Sequence, residues 1–363
     1  MFHNYFSPIL RFLICFVFFN VFLGLSFTQT TTQTTGTLIV LNKSEASASL
    51  ISLSSGKIVA TIHTGQGPHE VDVSSDGKIA VVSNYGIRRE PGSTLSVIDL
   101  QSLQVTETID LKKYQRPHGV MFLPNGESLL VTAESQKTLL VVNVKIGKIA
   151  QAIETGQNVS HMVVHDPERN RAFVSNIGSG SVTVIDLQTS EAVGTIETGA
   201  GAEGIDISPT GKEVWVSNRA DDTISIIDTK TLEVVETVEC SAFPIRLKFT
   251  PDGKFVLVSN ARSGDVAVFD AKERTEIKRI SMKMAAVEGK EERLFSDRFG
   301  ESPVPVGILV HPNGDAAYVA NTNADIVTVI EIESWQISNR LPTGKEPDGL
   351  GYSPLEIQGQ VVK

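Results

Sequence analysis

Three histidines hold one position relative to a recurring tripeptide. The string Val-Ser-Asn ends at Asn84, Asn176, Asn218 and Asn260, while Ala133 and Asn321 take the same place in related segments. His69, His118 and His161 lie 15 residues before Asn84, Ala133 and Asn176. Glu203 has the same offset from Asn218, Ile245 from Asn260 and Val306 from Asn321, and Asp348 completes the set. Imidazoles and carboxylates bind first-row metals and move protons near neutral pH. Three imidazoles that leave one position open are a catalytic zinc arrangement, and imidazole also suits copper and iron. One divalent transition metal (zinc, copper or iron) on His69, His118 and His161 is therefore one expectation. Glu203, and Glu134 beside Ala133, are then the carboxylates placed to act as acid or base. A metal-free polar pocket, or ring residues that bond only water and strand ends, are the alternatives.

Further charged residues attach to the same register. Arg246 follows Ile245, Arg219 follows Asn218 and Arg262 follows Ala261. With Asp348 they form a candidate ligand-binding set, because a guanidinium fork matches a carboxylate or phosphate. Loop ion pairs with Asp221, Asp222 or Asp265 compete for Arg219 and Arg262. His63, His165 and His311 fall off the register and read as inert.

The offsets imply the scaffold. Asn176 to Asn218 is 42 residues, and so is Asn218 to Asn260. A period of roughly 40–45 residues is that of a four-stranded propeller blade. Within 203–238, runs of five to seven residues alternate apolar and polar and are joined by Pro, Asp, Asn and Gly turns. That is an all-β pattern. Second strands ending near Asn42, Asn84, Ala133, Asn176, Asn218, Asn260 and Asn321 give seven units. The first unit lacks its first strand, and 347–353 supplies one. The expected fold is an all-β, seven-bladed β-propeller of four-stranded antiparallel blades. Its ring is closed by the C-terminal strand pairing with the N-terminal blade, which removes exposed edges. Antiparallel order puts the starts of first strands and the ends of second strands on one face. Two insertions, 87–92 and 282–302, fall on that face, and the second is expected to cover the channel mouth around Glu288 to Phe295.

The rest of the chain sets bounds. Residues 1–26 carry Arg11 and an apolar run from Phe12 to Leu25, interrupted by Asn20. They read as a secretory signal, with a membrane anchor as the alternative. Residues 27–36 are a Thr/Gln-rich linker, 37–355 the propeller and 356–363 a C-terminal tail. The expected location is the periplasm, the exterior or the cell surface, with contact to a membrane only if the leader stays attached. Without the leader one cysteine, Cys240, remains, so no internal disulfide forms. The formal charge is −10 and basic runs are lacking, which excludes nucleic acid as a partner. A monomer that meets a small-molecule ligand or a surface protein partner is expected.

The repeats resemble YVTN-type β-propeller repeats, a group of exported bacterial propellers that includes lactonase-like proteins. The residues that carry the likeness are the Val-Ser-Asn strands, Tyr318-Val319-Ala320-Asn321, Val184-Ile185-Asp186, Ile226-Ile227-Asp228 and Ser208-Pro209-Thr210-Gly211-Lys212. The resemblance spans Thr37 to about Ser353. It implies the fold, and it covers binding proteins and proposed enzymes alike. Three functions stay open: a ligand-binding protein, a metal-dependent hydrolase, lyase or oxidase acting on a small anionic substrate, and a protein-interaction scaffold.

Overall fold

The computed structural model describes residues 34–284, 293, 295 and 298–357. The expected signal peptide, most of the linker, residues 285–292 of the second insertion and most of the tail lie outside them. Seven four-stranded antiparallel sheets form the blades of a propeller. Blade one joins the last strand, Pro347–Ser353, to Thr37–Asn42, Ser47–Ser52 and Lys57–His63. Thr37 faces Ser353 and Val40 faces Leu350, so the ring closes as expected. The other six blades each use four consecutive strands. Among the described residues no helix is long and apolar enough to cross a membrane.

Burial follows position within the blade. Second strands such as Glu213–Asn218 are buried almost throughout, because neighbouring blades cover both faces. Fourth strands such as Glu233–Glu239 are mostly exposed on the rim. The core is therefore a series of layers between blades. In one of them Trp215 meets Phe249 edge-on, with ring centres 5.7 Å apart.

The last two residues of the second strands do two separate jobs. The asparagine amide ties the second strand to hydroxyls on the third: Asn42 to Ser47 and Ser49, Asn84 to Thr94 and Ser96, Asn218 to Thr223 and Ser225. The preceding hydroxyl works on the first strand. Where Ala202 pairs with Asn218 and Ile205 with Val216, Glu203 and Gly204 together stand opposite Ser217. Two residues against one is a β-bulge, a device that re-aims a side chain. The same shift occurs at Pro68/Val71, Pro117/Val120, Ser160/Val163 and Pro305/Ile308. In blade three the Thr132 hydroxyl accepts the Gly119 N–H at 2.9 Å and donates to the His161 carbonyl of blade four at 2.6 Å. Ser83 and Ser175 likewise donate to the carbonyls of His118 and Glu203, at 2.8 and 2.6 Å. Blades approach so closely here that a Cβ on Gly119 would sit 2.7 Å from the His161 carbonyl oxygen.

Two details differ from expectation. Residues 87–92 are not a free loop. The strands Ile79–Ile87 and Glu90–Asp99 run on as a ribbon, with Gly86 opposite Pro91. The start of the tail is docked: Glu356 accepts from the Gly36 N–H and the Ser52 hydroxyl, both at 2.7 Å, and Ile357 joins the layer between blades one and two.

Thr132→Val keeps the shape and removes the hydroxyl that serves two blades. It is expected to lower stability by about 1–3 kcal/mol, the cost of leaving buried groups unpaired. The exposed Thr195→Val should leave the urea midpoint unchanged. Equal midpoints for the two variants would show that the inter-blade bond contributes nothing.

Candidate functional site

Each first strand presents its second residue at the channel mouth. These are His69, His118, His161, Glu203, Ile245, Val306 and Asp348. The ring is lopsided. Blades two to four supply imidazoles, and Ile245 and Val306 join Phe243 and Phe299 in an apolar cluster on the other side. The cavity between them is about 140 Å³, and Phe295, Phe299 and Arg298 are part of its lining.

A second ring comes from residues that follow the asparagine marks. Lys43, Tyr85, Glu134 and Arg219 all reach the site. His161 Nδ1 lies 2.5 Å from Glu134 Oε1, and the Tyr85 hydroxyl donates to Glu134 Oε2 at 2.6 Å. Tyr85 stacks on His69 with ring centres 4.3 Å apart, beneath the Arg116 guanidinium. Glu203 bonds Arg219 and accepts from Arg246 at 2.9 Å. Arg246 also reaches Glu70 at 2.8 Å, so blades two and six are bridged across the channel. Lys43 pairs with Asp348. Arg246 also lines the larger channel cavity, about 370 Å³, whose other walls are mostly aliphatic and contain no imidazole.

The imidazoles differ in their bonding. His69 donates from Nδ1 to the Gly67 carbonyl at 2.9 Å if that nitrogen carries the proton, which leaves Nε2 as the lone pair. His118 and His161 lie against each other, ring centres 3.6 Å apart. Both are more than nine-tenths buried, and His118 Nδ1 and His161 Nε2 have no hydrogen-bond partner. Nε2 of His161 is 3.3 Å from Glu203 Oε1, but the geometry is not that of a hydrogen bond, and the pairing is weaker than the distance suggests. His118, Glu134 and His161 each offer a ligand atom within 4.8 Å of the others. His69 is not in that group; it stands one ring further out, 5.0 Å from His118 between centres. The structure thus joins two of the three expected histidines and adds Glu134.

Burial sets much of the protonation. It drives His69 down to about 3, with Lys43 adding to the effect, and lowers His118 well below its usual value, helped by His161. Both are neutral with lone pairs available. Burial also opposes charge on His161, but its bond to Glu134 and the nearby Glu203 carboxylate outweigh this and raise it. Burial opposes ionisation of Glu203 as well; His161, Arg219 and Arg246 overrule it and hold the carboxyl well below the carboxylate range. Burial raises Glu70 despite Arg246. Asp348 is held low, against burial, by Lys43. Its Oδ1 has no hydrogen-bond partner.

Other expected residues lie elsewhere. Arg262 pairs with Asp222 at 3.6 Å on the outer lip and does not line the cavity, whereas Arg219 turns inward to Glu203 rather than to a loop aspartate. Cys240 is buried, and burial pushes its thiol up to about 12. Sequence reasoning missed Glu70, Lys43 and Tyr85. Glu70 stands at the same register as Arg246, and Lys43 and Tyr85 at that of Glu134, so the ruler that found one member of each pair could have found the other.

A family model described as "Cytochrome D1 heme domain" matches residues 116–290, from blade three through blade six. Nothing matches among curated proteins. Among solved structures the chain is similar to Kuenenia stuttgartiensis hydrazine synthase, at 20% identity and TM-score 0.67, over 79% of this chain and 90% of that one. It is also similar to a functionally unknown protein from Desulfotomaculum acetoxidans, at 15% identity and TM-score 0.70, over 88% and 99%. At these identities the likeness shows the propeller fold alone. The YVTN-type expectation rests on its motifs.

The His161 proton has a definite stability signature. Its folded value lies above the ordinary 6.5, so the stabilisation is fully present below about 6.5 and is lost as pH rises through the folded value. In chelator-treated protein the melting temperature should fall across that rise, and His161→Gln should remove this component. An unchanged pH profile in the variant would show that the proton is not held there.

Proposed function

We propose that the protein is an exported propeller that binds a small ligand through one divalent transition metal at the channel mouth, with His118 and His161 as protein ligands. One observation carries the reading: two buried imidazole nitrogens on adjacent rings lack partners, although nearly every other polar group at the mouth is satisfied. An unpaired buried polar atom costs roughly 1–3 kcal/mol. A first-row metal takes up an imidazole lone pair, so at His161 it displaces the Nε2 proton that the neighbouring carboxylates favour. Glu134 bonds the far nitrogen of His161, and Tyr85 bonds Glu134, the outer-shell arrangement that orients a metal-bound imidazole. Glu203, tied to two arginines and held ionised, serves as a charge anchor in this reading rather than as a proton carrier. Export rests on the apolar segment from Phe12 to Leu25.

A haem, named by the matching family model, does not fit this arrangement. The mouth cavity, about 140 Å³, lies below the roughly 300 Å³ at which drug-sized ligands begin to fit. The 370 Å³ cavity has the room but offers no imidazole.

A second reading, metal-assisted hydrolysis, is favoured by one feature. Glu134 is a carboxylate one bond from a ligand imidazole, and an ion held by two side chains keeps positions open for water.

Metal analysis of protein purified without an affinity tag is the test. About one equivalent of zinc, copper or iron is expected, falling below a tenth of that in His118→Ala. The melting temperature of metal-free His118→Ala should match that of the metal-free parent. A parent that stays empty after incubation with each ion overturns the proposal.

A further inference from the structure

Resting on the metal reading, we infer that the mouth takes a small hydroxy-carboxylate as its ligand. The buried carboxylates there are already committed: Glu70 to Arg246, Glu203 to Arg246 and Arg219, Asp348 to Lys43, and Glu134 to His161 and Tyr85. Glu134 bonds only neutral partners once His161 is a ligand, so it offsets one charge of a divalent ion on His118 and His161; the other three carboxylates are matched by Arg246, Arg219 and Lys43, and one positive charge remains. Buried charge is tolerated only when paired. The compensating anion has to come from solution.

The lining specifies which anion. Arg298 stands at the cavity lip over the Phe243 and Phe299 rings, at 5.0 and 5.3 Å, and has no ion-pair partner among the described residues. A planar guanidinium matches the two oxygens of a carboxylate. Asp348 Oδ1, buried and without a partner, also belongs to a residue lining the cavity and can only accept. A ligand hydroxyl supplies the missing donor. A cavity of about 140 Å³ restricts the molecule to a few heavy atoms, which is the size of glycolate or lactate. Ligand and ion together satisfy the orphaned imidazole nitrogens, the orphaned carboxylate oxygen and the Arg298 guanidinium.

The test uses the full mature chain loaded with cobalt(II), whose visible bands report its coordination. Glycolate should shift the bands saturably and at least tenfold more tightly than acetate. Benzoate, which is too large, should leave them unchanged. Arg298→Ala, a change at an exposed residue, should weaken glycolate and acetate about tenfold while cobalt stoichiometry stays at one. Asp348→Asn should reduce the preference for glycolate over acetate. Bound cobalt whose bands ignore glycolate and acetate overturns the ligand assignment and leaves the metal reading standing. Equal affinity for glycolate and acetate overturns the hydroxyl part. Failure of the parent to bind cobalt, zinc, copper or iron overturns the metal reading, and this inference with it.

Discussion

A hydroxyl at the last-but-one position of a second strand holds two blades at once. It accepts the N–H of a bulged residue on its own blade and donates to the backbone carbonyl of the mouth residue on the next. Ser83, Thr132 and Ser175 do this for His118, His161 and Glu203. A bulge left alone would be a weak point in the ladder. Fixed in this way, it aims each first-strand side chain at the axis, and the separation of the imidazole rings follows from the pitch of the ring of blades. The second strand is also the most buried, so the bond forms where water cannot compete and where leaving it unmade would be costly. The scaffold and the mouth are therefore specified by the same tripeptide.

The charges at the mouth play a different part. Ion pairs taken out of water contribute little net stability, because desolvation consumes most of the attraction, while removal of one partner costs about 3–5 kcal/mol. Their effect here is geometric. Arg246 reaches blade two through Glu70 and blade five through Glu203, so three blades are referred to one guanidinium. The polarity of the opening is thus set before any ligand arrives.

The fold was legible because its signal is repeated. Seven copies of one strand pattern average out local ambiguity, and the half-repeat at 347–353 has no place except beside Thr37–Asn42. The mouth register was legible for the same reason. The bulges were not, since a bulge is a pairing irregularity and simple alternation along Gly204 to Ser208 conceals it. Nor could spacing tell which imidazoles converge: His69 shares its register with His118 and His161 but turns to Tyr85 and the Gly67 carbonyl. Contacts across the channel, such as Glu70 with Arg246, lie 176 residues apart. They become visible only when equivalent positions are compared around the ring rather than along the chain.

The two kinds of contact at the mouth also differ in when they can form. His69, His118 and His161 belong to blades two, three and four, which are contiguous in the chain, so a nascent chain can assemble that arc early. The pairs Glu70–Arg246 and Lys43–Asp348 join residues far apart in the sequence, and Thr37–Asn42 has no first-strand neighbour until Pro347–Ser353 has been made. Contacts of such separation carry the loop-closure cost and form last. Until then blade one exposes an unpaired edge, which is a template for another chain. The docked Glu356 and Ile357 act after that step as a clasp, so a truncation that removes these two residues would be felt as association between molecules before it was felt at the mouth.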